Sequence, residues 1–327
     1  MDRQKEKTET NGTQSAAADP AATLLESMML IRAYEEKLPE IGIKMVCTSV
    51  GQEASAAGVV HALSAEDLIL TNHRSAGHLI ARGADPGKML AEVMGKSTGY
   101  CKGKSGTLHI SIKELGIVLT STIVGGELSL APGVALSQQQ LGRPGIVVCF
   151  FGDGAATEGV FHESLNLAAK WNLPILYICE NNQWQAYVHR RETMLTDHIS
   201  TWAAKYGIES LTVDGNDVHA VHAAARVAVD KVRTARKPFF LETYTFRMHG
   251  HMEADDQSYV DRQELAAWAA KDPIQRQKER LLREGLLSAE VIAQMETRVR
   301  STIESAVAFA GSSPYPELAE LTTEIYA

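Results

Sequence analysis

Between residues 24 and 34 the apolar positions Leu24, Leu25, Met28, Met29, Ile31 and Tyr34 recur at helical spacing, so AATLLESMMLIRAYEEKL predicts an amphipathic helix. QEASAAGVVHAL predicts a second. Four short runs break this period: DLILT (67–71), GIVVCFF (145–151), PILYICE (174–180) and PFFLETYTF (238–246). They are β-branched or aromatic, flanked by Gly, Pro or Asn, and separated from one another by helical pattern. That alternation predicts an α/β fold: a mainly parallel sheet with helices on both faces. Residues 262–310 read as helical throughout, a C-terminal extension, whereas 99–126 hold many glycines and no clear period. The latter predicts a long ordered loop of the kind that lines sites in α/β enzymes.

Composition narrows the class. A chain of 327 residues, 45% of them hydrophobic, can bury a large core, and no linker rich in Pro, Gly or Ser divides it. The expectation is a polar, disordered tail over 1–20 and one domain over 21–327. The tail mixes acids and bases and lacks the apolar stretch of a secretory signal. A formal charge of -8 and the absence of a Lys/Arg block argue against nucleic acid or a membrane surface as partner. No run of eighteen apolar residues suggests a membrane span. The four cysteines, Cys47, Cys101, Cys149 and Cys179, show no close metal-ligand pairing, and Cys149 and Cys179 lie inside strand-like runs as reduced core thiols do, so a cytoplasmic setting is expected.

The chemistry concentrates where FFGDG leaves a buried strand. GIVVCFFGDG followed by ATEGVFHESLNLAAKW reads as strand, tight turn and helix, with Phe161, Leu165 and Ala168 facing inward. Asp153, between Gly152 and Gly154, is thereby expected exposed at the carboxyl end of a parallel strand, where open α/β sheets bind ligands and a helix start offers N–H groups to phosphate. An aspartate beside a phosphate calls for a bridging hard cation such as magnesium. A second strand, PILYICENNQW, ends in Asn181 and Asn182, and Asn182 stands 29 positions after Asp153, one helix and one strand later. The two strand tips would then be neighbours, so that Asp153 and Asn182 share one metal. The plainer alternatives are that GDG is an ordinary turn and that Asn181 and Asn182 merely cap another.

The same residues resemble a known family. GDG, about thirty residues and NN form the thiamine diphosphate signature, and FFGDGAATEGVFHESLNLAAKWNLPILYICENN is similar to alpha subunits of the decarboxylating component of 2-oxo acid dehydrogenase complexes, of the acetoin and pyruvate type. NHRSAGHLIARG, GYCKGKSGTLHI, STIVGG, VDGNDV and FRMHGHMEADDQSYV extend the resemblance over roughly residues 24–310. It implies a thiamine diphosphate-binding fold, with magnesium held by Asp153, Asn182 and the carbonyl of Trp184. Gly154 and Ala155 would offer N–H groups to the diphosphate, which His73 and Arg74 would grip. Arg74 alone would also read as a surface helix-cap residue. Backbone around Thr122 and Val124 matches the segment that holds the aminopyrimidine ring. His251 matches a histidine near the reacting carbon, although His249 and His251 also suit a metal pair or a polar loop. His109 matches a site-lining histidine, with a buried structural role as its alternative.

The resemblance further implies a beta subunit that supplies the glutamate for the pyrimidine ring, an α2β2 heterotetramer, a lipoyl-bearing acyltransferase as acceptor and a small carbonyl compound as substrate. HGHMEADDQSY is closer to the HGHFEGDAQTY of acetoin-type chains than to pyruvate-type chains, which carry a serine where Met252 stands. Ala76 in place of a common histidine, Glu127 beside the pyrimidine segment and SGTLH in place of GGSMH depart from the pattern. Two other functions compete. One is a two-chain thiamine diphosphate enzyme that ligates carbon fragments without a lipoyl acceptor. The other is a nucleotide-binding or regulatory protein, against which no GxGxxG follows the first strands and no GxxxxGK[ST] occurs.

Overall fold

The computed structural model describes residues 20–44 and 46–323. All but Pro20 of the expected tail therefore lies outside the described residues. The strands are β1 (Leu68–Thr71), β2 (Ile117–Thr120), β3 (Val147–Gly152), β4 (Ile175–Asn181), β5 (Trp184–Gln185), β6 (Val188–His189), β7 (Glu209–Asp214) and β8 (Phe239–Tyr244). Six of them form one parallel sheet in the order β2-β1-β3-β4-β8-β7, while β5 and β6 make a small antiparallel ribbon. The helices are α1 (Pro20–Glu40), α2 (Glu53–Val60), α3 (Ala76–Ala81), α4 (Pro86–Val93), α5 (Gly126–Gln140), α6 (Asp153–Ala156), α7 (Gly159–Trp171), α8 (Ser200–Ala203), α9 (Val218–Ala235), α10 (Arg262–Ala269), α11 (Pro273–Arg283) and α12 (Ala289–Ser312).

The unbroken apolar runs of β3 and β4 have their cause in burial on both faces. Val147, Cys149 and Phe151 point to Leu128, Ala131 and Ala135 of α5 and to Phe161, Leu165 and Ala168 of α7. Their neighbours Val148 and Phe150 point the other way, to Val59 and Val60 of α2 and Val221, Ala225 and Ala228 of α9. This is the period of two that a pleated strand imposes. A further apolar cluster joins α1, α3, α4, α11 and α12. Cys149 and Cys179 are buried thiols, as expected, and Cys47 and Cys101 are free as well.

Four strands were not expected from the sequence: the short β5 and β6 of the ribbon, and β2 and β7 of the main sheet. β2 lies inside the stretch taken as loop, its four residues too few to show a period, and β7, ESLTVD, alternates polar and apolar residues at the sheet edge. The continuous C-terminal helix divides into three, because side chains cap fresh starts. Asp261 accepts from the N–H groups of Gln263 and Glu264, Asp272 from Gln275 directly before a helix-opening Pro273, and Ser288 from Val291.

α2 approaches α9 closely at Gly58, whose carbonyl accepts from His222 Nδ1 at 3.0 Å. A Cβ there would stand 2.7 Å from Val221 Cγ1 and 3.1 Å from the backbone nitrogen of His222. Gly58→Ala is therefore expected to destabilise the protein by about 1–3 kcal/mol, seen as a lower melting temperature. An unchanged melting curve would show that the two helices separate at no cost.

Candidate active site

The sheet order turns at β1: β2 lies on one side of it and β3 on the other. Open parallel sheets bind ligands beyond the carboxyl ends of the strands at such a point. Segments leaving β1, β2, β3 and β4 here converge on a cavity of about 300 Å³. They bring Asn72, His73 and Arg74 after β1, Val124 after β2, Asp153 to Ala155 after β3, and Asn182 and Trp184 after β4; His251, from the chain beyond β8, joins them.

β3 and β4 are adjacent and in register up to Gly152 opposite Glu180, so the tips carrying Asp153 and Asn182 meet as the spacing requires. Asp153 is not exposed; it is 1% accessible at the base of the cavity. Nor does the long helix follow the turn directly. A single helical turn, α6, intervenes, and α7 starts at Gly159. Burial pushes the Asp153 carboxyl up to about 7, although the backbone N–H groups of Asp153 and Gly154 and, further off, Arg190 and Arg247 favour its charge. Among the described residues its Oδ2 has no hydrogen-bond partner. A buried carboxylate oxygen left open in this way suits a cation.

The two asparagines divide the work. Asn181 turns into the polar interior, donating to Glu242 Oε1 at 2.6 Å and to the Asp197 carbonyl at 3.1 Å. Asn182 lines the cavity, donates to Gln52 Oε1 at 3.1 Å and accepts from the Trp184 N–H at 3.2 Å. The chain then turns back at Gln183, whose φ of 72 is left-handed, and sends Trp184 and Gln185 across Gly154. A Cβ on Gly154 would lie 3.4 Å from that of Gln185. Asp153, Asn182 and Trp184 line one cavity, and carboxylate, amide and peptide oxygens are the donor chemistry of a hard divalent cation. No grouping of three or more His, Cys, Asp or Glu with metal-site geometry occurs among the described residues, around His249 and His251 or elsewhere.

The opposite wall is basic. Arg74 is buried, not a surface cap, and donates to the carbonyls of Thr48 and His251, each at 2.8 Å. A guanidinium has five N–H groups, so these bonds leave others to donate. Arg74 Nη2 also lies 3.3 Å from His251 Nδ1. Because a guanidinium only donates, Nδ1 is the acceptor and Nε2 carries the proton. Burial and the nearby Arg74 and Arg247 hold His251 down at about 4, and burial with Arg74, His251 and Arg247 holds His73 down at about 3. Both imidazoles are neutral at physiological pH and their rings sit 5.9 Å apart. The His251 loop is braced by Asp255 Oδ2, which accepts from the His251 N–H and the Tyr259 hydroxyl, both at 2.6 Å. His249 instead leans away, with Nδ1 3.4 Å from Thr48 Oγ1.

Thr122 and His109 stand apart from the cavity wall, joined to each other at 3.4 Å, and His109 is exposed, which removes the buried structural alternative. Sequence reasoning passed over Asn72, Glu180 and Arg247. Glu180 lines the cavity; burial opposes its charge, but His78, Ser55 and Asn72 together hold its carboxyl below the ordinary value. An acid closing an otherwise apolar strand, immediately before the asparagine pair, was the available signal.

Comparison with known proteins agrees with this geometry. Residues 23–319 match the family described as Dehydrogenase E1 component. The chain is 40% identical over 318 residues to the alpha subunit of acetoin:2,6-dichlorophenolindophenol oxidoreductase of Bacillus subtilis, covering 95% of each chain. It is 36% identical over 304 residues to the pyruvate dehydrogenase E1 component subunit alpha of Rhizobium meliloti, covering 91% of this chain and 87% of the relative. It is also 36% identical over 310 residues, 93% of each chain, to the acetoin-type alpha subunit of Cupriavidus necator. With the match spanning nearly the whole described structure, the chain belongs to the dehydrogenase E1 component family.

Proposed function

We propose that this chain is the alpha subunit of a two-chain, thiamine diphosphate-dependent dehydrogenase that cleaves the bond beside a carbonyl carbon and passes the hydroxyethyl or acyl unit to a lipoyl group on an acyltransferase. The observation that carries the reading is the buried Asp153 carboxylate, with an unpartnered oxygen, beside the Asn182 turn and at the end of β3, the strand next to β1 where the sheet order turns. Bound thiamine diphosphate supplies the carbanion-stabilising chemistry. Magnesium is held by Asp153, Asn182 and the Trp184 carbonyl, and the diphosphate by the N–H groups of Gly154 and Ala155 with His73 and Arg74. The segment from Thr122 to Val124 meets the aminopyrimidine. His251, neutral and protonated on Nε2, can donate to an oxygen at the reacting centre, and burial, with Arg74 and Arg247 nearby, keeps it from taking a second proton. His109 serves at the rim.

A beta subunit closes the site in an α2β2 heterotetramer. The apolar rim supports this partner: Ile123 is 69% exposed and Val124 55%. No helix among the described residues is long and apolar enough to cross a membrane; a cytoplasmic setting is proposed on the composition and the reduced core cysteines. Acetoin is placed ahead of pyruvate as substrate, on the HGHMEADDQSY loop and the names of the relatives. Steady-state turnover of acetoin, pyruvate and branched 2-oxo acids by the reconstituted pair, with a lipoyl domain as acceptor, tests it. The highest kcat/KM is expected for acetoin, with acylation of the lipoyl domain; carbon–carbon ligation without that acylation would replace this reading by the ligase.

A further inference from the structure

The cavity wall includes four acids, and three have evident roles or surroundings. Asp153 faces the proposed metal corner, Glu180 already has Ser55, Asn72 and His78 as partners, and Glu158 is exposed. Glu127 is different. It occupies the first turn of α5, directly after the left-handed Gly125, and is 1% accessible. Among the described residues it forms no ion pair, and its Oε2 has no hydrogen-bond partner. Burial raises its carboxyl to about 7, opposed only by its own backbone N–H.

A helix start favours a negative charge only modestly, whereas a buried carboxylate without a partner is costly. A side chain kept where it weakens the fold points to something outside the fold that satisfies it. Its location says what. Glu127 lies three residues beyond Val124, and α5 packs on β3, whose Cys149 feels the Glu127 charge. It shares one cavity wall with Val124, in the segment proposed for the aminopyrimidine, and with Gly152 and Asp153, the tip proposed for the metal and diphosphate. In thiamine diphosphate the group between those two ends is the thiazolium, a permanently cationic ring.

We propose that the Glu127 carboxylate is the counter-charge to the cationic ring of the bound cofactor, which completes the oxygen the protein itself leaves unpaired. The inference rests on the cofactor reading above and adds a specificity-determining contact to it.

The test uses the assembled alpha–beta complex with magnesium, wild type and E127Q, and two ligands: thiamine diphosphate and thiamine thiazolone diphosphate, whose ring is neutral. Affinities are measured by calorimetry and melting temperatures without ligand. E127Q is expected to melt at or above the wild-type temperature, to bind thiamine diphosphate roughly 10- to 100-fold more weakly and to bind the neutral-ring analogue as the wild type does. Equal losses for both ligands, no loss for either, or a lower melting temperature would each overturn the proposal. Should E127Q fail to fold, E127M is read by the same criteria, and its failure to fold as well marks Glu127 as structural. A wild-type complex that binds neither ligand overturns the cofactor reading itself and this contact with it; a normal wild type beside an unaffected E127Q overturns the contact alone.

Discussion

Asp153→Ala is expected to lower the affinity for thiamine diphosphate with magnesium by roughly 100-fold or more, about 2.8 kcal/mol, while the melting temperature of the ligand-free protein stays level or rises. The two effects have opposite signs for one reason. The carboxyl is buried with one oxygen unsatisfied, so its removal takes away a desolvation cost along with the proposed cation ligand. Neighbouring contacts persist, since β3 and β4 are held by their ladder and by the apolar clusters on both faces. Chelation of magnesium from the wild type should reproduce the binding defect and leave the variant unaffected. Calorimetric titration decides it, and wild-type affinity in the variant would remove Asp153 from the metal corner.

The chain purified by itself is expected to turn over neither acetoin nor pyruvate, at rates about 10³-fold or more below those of the pair formed with its beta subunit. On the proposed reading each acid on the cavity wall has another task or another setting. Asp153 belongs to the proposed metal corner, Glu180 accepts from Ser55, Asn72 and His78, Glu158 is exposed, and Glu127, in the first turn of α5, is the proposed counter-charge to the cationic ring. On that reading the proton-transferring carboxylate comes from the beta subunit across the apolar rim, where Ile123, Val124 and Tyr187 are 69%, 55% and 54% exposed. Mixing the two purified chains and following turnover against their ratio measures the dependence. Full activity of the chain without its partner would end the two-chain reading.

Strands that pack on both faces were legible because each opens on a run of apolar residues: β1, β3, β4 and β8 fall within two residues of the runs that predict them. β2 and β7 were not, since an edge or a four-residue strand does not need a continuous apolar run. The pairing of Asp153 with Asn182 was legible for a geometric reason: one helix and one strand return the chain to the same end of the sheet. What spacing could not supply was depth. Asp153 is at the bottom of the cavity instead of its mouth, and Asn181 and Asn182, adjacent in sequence, face different interiors because successive residues of a strand point to opposite sides. Contacts between distant segments, such as Arg74 on the carbonyls of Thr48 and His251, carry no local signature at all.

The Asp255 brace bears on how the protein meets its ligand. One carboxylate collects the His251 N–H, the Gln257 N–H and the Tyr259 hydroxyl, and Arg247 donates to that same hydroxyl at 2.8 Å. The segment bearing His251 is thus ordered by bonds internal to itself, and little conformational entropy remains to be lost when a small molecule arrives. Association here should resemble a key entering a cut lock more than a hand closing on it, with an arrival rate set by diffusion into the cleft and little influenced by folding of the histidine arm.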